Sequence, residues 1–350
     1  MDAGEANVTL ASYDTTEKST DALKINGSNE TTTYYYYQSS WYKPMVVTAF
    51  ILLMTLICVG NALVLAAYCK ARRLRTRSNL VMIQLPVTDF IGGLLLVFHI
   101  VTFLVFDTIK WLYLCILRYC LTIFPGMATV FALLMITVER YYAILHPLKH
   151  RQRHYAKWSL VIGLSVWIPS SFVGLILPFV WHKDWSYDKD KDCEMSLVLP
   201  EHYLGSLLCS GFTIVASCIV YMYIRIERAV RQSNFTVKEK DVKLSKTVVL
   251  ILACFFTCWA PLIIMLGVFS SPLIQYTPTT ITIRFFLMNL ATLNSALNPI
   301  IYAIRLPEFR KAIWEMVTGR KPMRRNTVSS SDCYSTSNTR TRSSVRSDIV

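Results

Sequence analysis

Two adjacent charges, Glu139 and Arg140, stand in FALLMITVERYYAILHP at the end of a long apolar run. A charged side chain at the centre of a membrane helix costs roughly 2.5–3.5 kcal/mol on insertion scales. The pair must therefore be offset by partners or lie at a membrane edge. Other polar residues interrupt apolar surroundings: Asn61 in GNALVL, Asp89 in LPVTDFIGG, and Asn294, Ser295 and Asn298 in NLATLNSALNPIIY. One carboxylate with several amides and hydroxyls, and no lysine nearby, suits a small cation site or a water-filled hydrogen-bond network. A polar core that simply holds helices together fits equally well. Hydrolytic patterns are lacking. There is no HExxH and no GxSxG, and the six histidines (His99, His146, His150, His154, His182, His202) are scattered. An enzyme is not expected.

These residues need a scaffold, and composition indicates which kind. Over half of the 350 residues are apolar and 17% are charged, against about 25% in soluble domains. Mean hydropathy is +0.40. Seven apolar stretches are each long enough to span a bilayer, which takes about 20 residues. They run Val46–Cys69, Leu80–Leu104, about 111–138, about 158–181, about 203–226, Thr247–Phe269 and about 281–304. The third and seventh are the least uniform. The expected fold is an all-α membrane protein, a seven-transmembrane helix bundle with a short amphipathic eighth helix.

Basic residues orient the bundle. Most of the 36 lysines and arginines fall after the first, third, fifth and seventh stretches. Cytoplasmic loops carry that excess, so the N-terminus is outside and the C-terminus inside. The net charge of +14 then reflects topology and attraction to anionic inner-leaflet lipid, and nucleic acid is not expected as a partner. Three sequons, at Asn7, Asn26 and Asn29, lie on the outer side and are expected to be glycosylated; a fourth, at Asn234, lies inside and should stay bare. The first span is expected to serve as signal and anchor.

Domain organisation follows from composition. Residues 1–44 form a polar extracellular segment expected to be disordered, and 45–305 form the seven-span unit. Residues 306–318 form the amphipathic helix, and 319–350 form a disordered tail with twelve serines and threonines among arginines. Such a tail suits phosphorylation, and its last residues, DIV, suit a PDZ groove. An odd number of spans and the lack of matched broken helices count against a transporter or channel.

Inside the spans, Pro261 in CWAP and Pro299 in NPIIY each remove a helix hydrogen bond. Hinge and static kink are both open. Adjacent residues on a helix do not face each other, so Glu139 is not expected simply to neutralise Arg140. At the cytoplasmic end of the third span Arg140 could reach the interface or pair with Asp241 before the sixth. Among ten cysteines only Cys115 and Cys193 lie at the oxidising outer face, either bonded or as free thiols.

These motifs, in order and in their spans, resemble the rhodopsin-like (class A) G-protein-coupled receptors over about residues 45–318. The matching elements are GNALVL, LPVTD, Cys115, ERYYAILHPL, Trp167, Cys193, CWAP, NPIIY and the stretch LPEFRKAIWEMV. The resemblance is loosely nearest the lysophospholipid, cannabinoid, melanocortin and adenosine group. It implies a Cys115–Cys193 disulfide and an allosteric sodium ion at Asp89, Thr129, Asn294, Ser295 and Asn298. It also implies an activation switch built from Glu139, Arg140, Tyr141, Asp241, Phe255, Trp259, Pro261, Tyr223, Asn298, Pro299 and Tyr302. A plasma-membrane receptor that opens the cytoplasmic ends of the third and sixth spans to a heterotrimeric G protein is the expected function. Two departures stand out: Pro125 should distort the third span, and the fifth has no proline to make its usual bulge.

For the ligand, comparison with the family's patterns is mostly subtractive. Thr122 stands where amine receptors place an aspartate, Thr292 where opsins place the retinal lysine, and Leu266 where adenosine receptors place an asparagine. Arg118, one turn below Cys115, matches the arginine with which lysophospholipid receptors hold a phosphate. With Arg284 and His99 it suits an anionic ligand, such as an anionic lipid, meeting Thr122, Trp259 and Glu194 as well. The alternatives are a pairing of Arg118 with Asp192 or Glu194, and a peptide ligand under the charged lid DWSYDKDKDCE.

Overall fold

The structure, a computed structural model, describes residues 42–104, 111–152, 155–183, 195–200, 202–232, 239–269 and 278–319. Among them every regular element is helical. The first span is Tyr42–Lys70. The second is Gln84–Leu104, entered through a short helix Arg77–Met82, and the third is Leu112–Leu145. The fourth runs Tyr155–Ser171 and continues through a π-turn, Phe172–Ile176, into Leu177–Val180. The fifth begins as a π-wound segment, His202–Cys209, and continues as Ser210–Gln232. The sixth is Glu239–Phe269, the seventh Pro278–Arg305, and a terminal helix covers Pro307–Thr318. The first six are long and apolar enough to cross a membrane. The seventh, at 28 residues, reaches about 42 Å at 1.5 Å per residue, so it has the length, and its polar residues are what set it apart.

Beside an apolar core, burial departs from the soluble pattern at both surfaces. Leu52, Leu56 and Val59 on the first span, and Leu160, Leu164 and Ile168 on the fourth, are exposed. Asn61, Asp89, Thr129, Glu139, Arg140, Asn294 and Asn298 are buried. That is the pattern of a bundle whose outer solvent is hydrocarbon. The third span is the axis. It packs against the second, fourth, fifth and sixth, and its buried residues run from Cys115 to Ile144. The terminal helix packs on the first and seventh spans, with Phe309 and Ala312 buried and Trp314 and Val317 exposed. Arg73 pairs with its Glu315 at 2.8 Å. An exposed pair of that kind contributes about 0–1 kcal/mol.

Pro125 does not interrupt the third span, which stays helical through it. The irregularity appears next door. A π-turn releases carbonyls from the regular ladder, and in the fourth span neighbouring helices take them. The Tyr203 hydroxyl donates to the Val173 carbonyl at 2.9 Å, and the Cys120 thiol to that of Leu175 at 3.8 Å. Gly174, inside the turn, lies so close to the third span that a Cβ on it would sit 2.5 Å from the Cα of Phe124. In the fifth span π-winding arises at His202–Cys209 without proline, so the missing residue did not preclude a local irregularity.

A test of this packing compares two glycines in the fourth span. Gly174→Ala pushes against backbone and should cost about 1–3 kcal/mol, lowering the temperature at which the solubilised chain loses monodispersity. Gly163 has nothing within 4 Å of an added Cβ, so Gly163→Ala should leave that temperature unchanged or slightly raise it. Equal shifts in both variants would refute the close approach.

Candidate functional site

Polar groups occupy three levels of the bundle. At the outer level Arg118 on the third span is 7% exposed, and its guanidinium lies 5.9 Å from the centre of the Tyr119 ring. His99 on the second span lies in the electrostatic field of both Arg118 and Arg284. Arg118 on the third span and Arg284 on the seventh thus both act on one histidine of the second. His99 is also held edge-on by Phe50 at 5.0 Å, and Phe50 meets Phe285 at 5.8 Å. The Thr122 hydroxyl donates to the Arg118 carbonyl at 3.1 Å, so its proton is used within its own helix. Cys115 is disulfide-bonded. Cys193, Asp192 and Glu194 lie outside the described residues, as do Asn7, Asn26, Asn29, Asn234 and the Ser/Thr-rich tail.

The middle level centres on Asp89, 2% exposed. Its Oδ1 accepts from the Ser295 hydroxyl at 2.7 Å and from the Thr129 hydroxyl at 3.5 Å, and its Oδ2 accepts from the Asn298 amide at 2.7 Å. The second, third and seventh spans are joined at one carboxylate. Asn61 adds the first span by donating to the carbonyls of Ile57 (2.9 Å) and Ser295 (3.1 Å). The side-chain oxygens of Asn61, Asn294 and Asn298 are buried without a hydrogen-bond partner among the described residues. Unmatched acceptors beside a carboxylate, with no competing lysine, are the donor set a hard cation prefers, since such ions take oxygen ligands. Four of the five residues expected for a cation site are thus bonded together. Asn294 is buried beside them in sequence and contributes an unmatched oxygen.

Against this level lies the Trp259 indole. It stacks on Phe255 at 5.7 Å, and Phe255 stacks on Phe212 at 5.8 Å. Gly126, directly after Pro125, makes room for it: an added Cβ would lie 2.6 Å from the tip of the indole. Pro261 lies within the sixth helix and Pro299 within the seventh.

At the cytoplasmic level Arg140 is fully buried. It does not reach out to the interface, as its position near the helix end suggested it could. It also contacts its neighbour in sequence, which helix geometry argued against: Arg140 Nη2 lies 3.4 Å from Glu139 Oε1. Two long side chains can fold together even from adjacent positions once other helices close over them. The side chain of Asp241 lies outside the described residues. Tyr223 donates its hydroxyl to the Ser245 carbonyl, joining the fifth and sixth spans. Tyr302 donates to the Met82 carbonyl at 3.3 Å and stacks on Phe309 at 5.9 Å, joining the seventh span to the short helix that enters the second and to the terminal helix. Tyr141 is half-buried, with its ring 6.3 Å from that of His146.

Two residues at this level were not foreseen. His150 Nε2 lies 2.7 Å from Glu139 Oε1, and Trp158 Nε1 donates to Glu139 Oε2 at 3.2 Å. No spacing rule pairs a glutamate with a histidine across a loop, so only the way the chain folds back after His146 reveals the contact.

A multi-pass bundle with a buried polar axis, a basic outer mouth and a charged inner end has the anatomy of a transmembrane receptor. Residues 60–302 match the description 7 transmembrane receptor (rhodopsin family), and the chain belongs to that family. Among curated proteins, Sphingosine 1-phosphate receptor 1 of Danio rerio is 30% identical over 211 residues, which cover 54% of this chain and 55% of that protein. The chain thus spans about half the length of that relative.

Two substitutions check the middle level. Asp89→Ala leaves the Ser295 hydroxyl and Asn298 amide buried without their acceptor, at about 1–3 kcal/mol per group, and should lower the melting temperature of the purified chain. Gly126→Ala forces the Trp259 ring to move, which its near-ultraviolet circular dichroism or fluorescence should register as a shifted band. An unchanged tryptophan spectrum would contradict the contact.

Proposed function

We propose that the chain is a plasma-membrane receptor, N-terminus outside, that converts binding of an extracellular anionic lipid into nucleotide exchange on a heterotrimeric G protein. The observation that carries the ligand reading is the buried Arg118 on the third span, which acts on the same histidine, His99, as Arg284 on the seventh. A guanidinium at that depth suits phosphate or carboxylate, whose oxygens fit its planar fork. The resemblance to Sphingosine 1-phosphate receptor 1 of Danio rerio supports a phosphorylated lipid of that kind. Thr122, Trp259 and Glu194 complete the proposed contact set. The Cys115–Cys193 disulfide would fix the outer loop over it.

Below the ligand, Asp89, Thr129, Ser295, Asn298 and Asn294 would hold a sodium ion, whose charge would stabilise the ionised Asp89 in the bundle. Trp259 and Phe255 would relay the ligand's position to Pro261. The cytoplasmic ends of the third and sixth spans would then part, freeing Arg140 from Glu139 and Asp241. Tyr223 would leave Ser245, Tyr302 would leave Met82, and the bend at Pro299 would absorb the movement. Receptor kinase and arrestin would act on the tail, the DIV terminus would fit a PDZ domain, and the terminal helix would lie on the inner leaflet.

The test is nucleotide exchange on a panel of purified G proteins with the chain in membranes. Sphingosine 1-phosphate, lysophosphatidic acid and an uncharged monoacylglycerol are the added lipids. A phosphorylated lipid should drive exchange and the uncharged one should not. Arg118→Ala should weaken the response about 10- to 100-fold, from the 1.5–3 kcal/mol of a charged hydrogen bond, at unchanged surface expression. Exchange driven only by peptide fractions, or an unaffected Arg118→Ala, rules out the lipid reading.

Sodium provides a separate check. Raising sodium at constant ionic strength should stabilise the unliganded chain, and Asp89→Asn should remove that response. An equal response to choline would count against a site.

A further inference from the structure

Glu139 is 1% exposed, yet its carboxylate is shared by three side chains. His150 on the loop helix Pro147–Gln152 approaches at 2.7 Å, Trp158 at the start of the fourth span at 3.2 Å, and Arg140 at 3.4 Å. An ionised carboxylate only accepts hydrogen bonds, so the His150 ring nitrogen donates to it. The two shorter contacts are the two that do not involve Arg140. At 3.4 Å the Arg140 contact lies beyond the usual range for a charge-assisted bond, about 2.7–2.9 Å.

This division matters when Arg140 moves. Removing one partner of a buried ion pair is strongly destabilising, by about 3–5 kcal/mol, because the other charge is stranded. A receptor whose Glu139 relied on Arg140 alone would meet that cost whenever Arg140 turned toward a G protein. Here the carboxylate keeps one donor on each oxygen after Arg140 has gone. Both donors sit on elements other than the sixth span, so an outward movement of that span does not remove them.

We propose that His150, assisted by Trp158, is a positioning residue that retains Glu139 so that Arg140 can leave it for the G protein. The loop between the third and fourth spans then sets how readily the receptor activates. This rests on the G-protein reading above.

The experiment uses the full chain in nanodiscs with purified heterotrimeric G protein, and reads ligand-independent nucleotide exchange. His150→Phe keeps a ring but removes the donor, and should slow exchange roughly tenfold, on the scale of one charged hydrogen bond. His150→Gln keeps a donor and should restore most of the rate. In a Glu139→Gln background there is no charge to strand, so adding His150→Phe should change the rate little. A second readout needs no G protein. Nitroxide labels at the exposed positions Lys70 and Lys246 report the separation of the first and sixth spans, and His150→Phe should shift that distribution toward the shorter distance. Exchange that is unchanged or faster with His150→Phe overturns the proposal, as does an equal loss in both backgrounds. If the wild-type chain drives no exchange on any G protein, the proposed function fails instead, and the label distances alone decide this inference.

Discussion

A polar group buried in a bundle that faces hydrocarbon cannot fall back on water, so it must find its partner within the protein, and the long-range partners lie on other helices. The architecture is organised by that requirement. Asp89 collects hydroxyls and an amide from the third and seventh spans. Asn61 donates from the first span into the backbone of the seventh. Glu139 draws donors from a loop helix and from the fourth span. Apolar packing around these points excludes solvent, but lipid tails are as apolar as leucine and provide little preference for one helix arrangement over another. The polar contacts supply that preference, and so fix which helices are neighbours and at what depth.

Close packing is obtained by small residues and local irregularity in place of regular ridges. A glycine in the π-turn of the fourth span brings it onto the backbone at Phe124. Two residues further along the third span, Gly126 opens the space that the Trp259 indole fills. Tyr203, at the outer end of the fifth span, holds a carbonyl of the same π-turn. A contiguous set of contacts therefore runs from the outer end of the fifth span, through the fourth and third, to the tryptophan of the sixth. Interiors packed this tightly tend to switch between discrete arrangements and deform little in between, which is what a receptor needs if a small shift at one end is to be felt at the other.

The levels differ in how their charges are balanced. At the outer level Arg118 and Arg284 both act on His99. The middle carboxylate is bonded on both oxygens while amide oxygens around it stay unmatched, a geometry that suits a cation. The inner carboxylate meets three donors, and the contact with its arginine is the longest of the three.

Spans, orientation and the list of polar intruders could be read from the chain because they depend on local composition: runs near 20 apolar residues, basic loops, and a polar residue where none belongs. The grouping of Asp89 with Thr129, Ser295 and Asn298 was legible too, but through resemblance to a family, since no spacing relates residue 89 to residue 298. What the chain could not show was how side chains meet across helices. Rules of helix spacing set Glu139 apart from Arg140 and left His150 among scattered histidines, because such rules describe one straight helix. The turn after His146 brings back a donor eleven residues away, and the fourth span adds another. Gly126 and Gly174 carried no signal as residues, having no side chain to recommend them; their role is the distance at which two backbones or a ring can approach. Sequence alone marked which segments are fit to enter the membrane, and its basic loops gave an expected orientation, because lipid selects on composition. Tertiary structure decided which buried groups satisfy one another, because partners in a bundle are chosen by depth and rotation around each helix, and neither is written in any single stretch of chain.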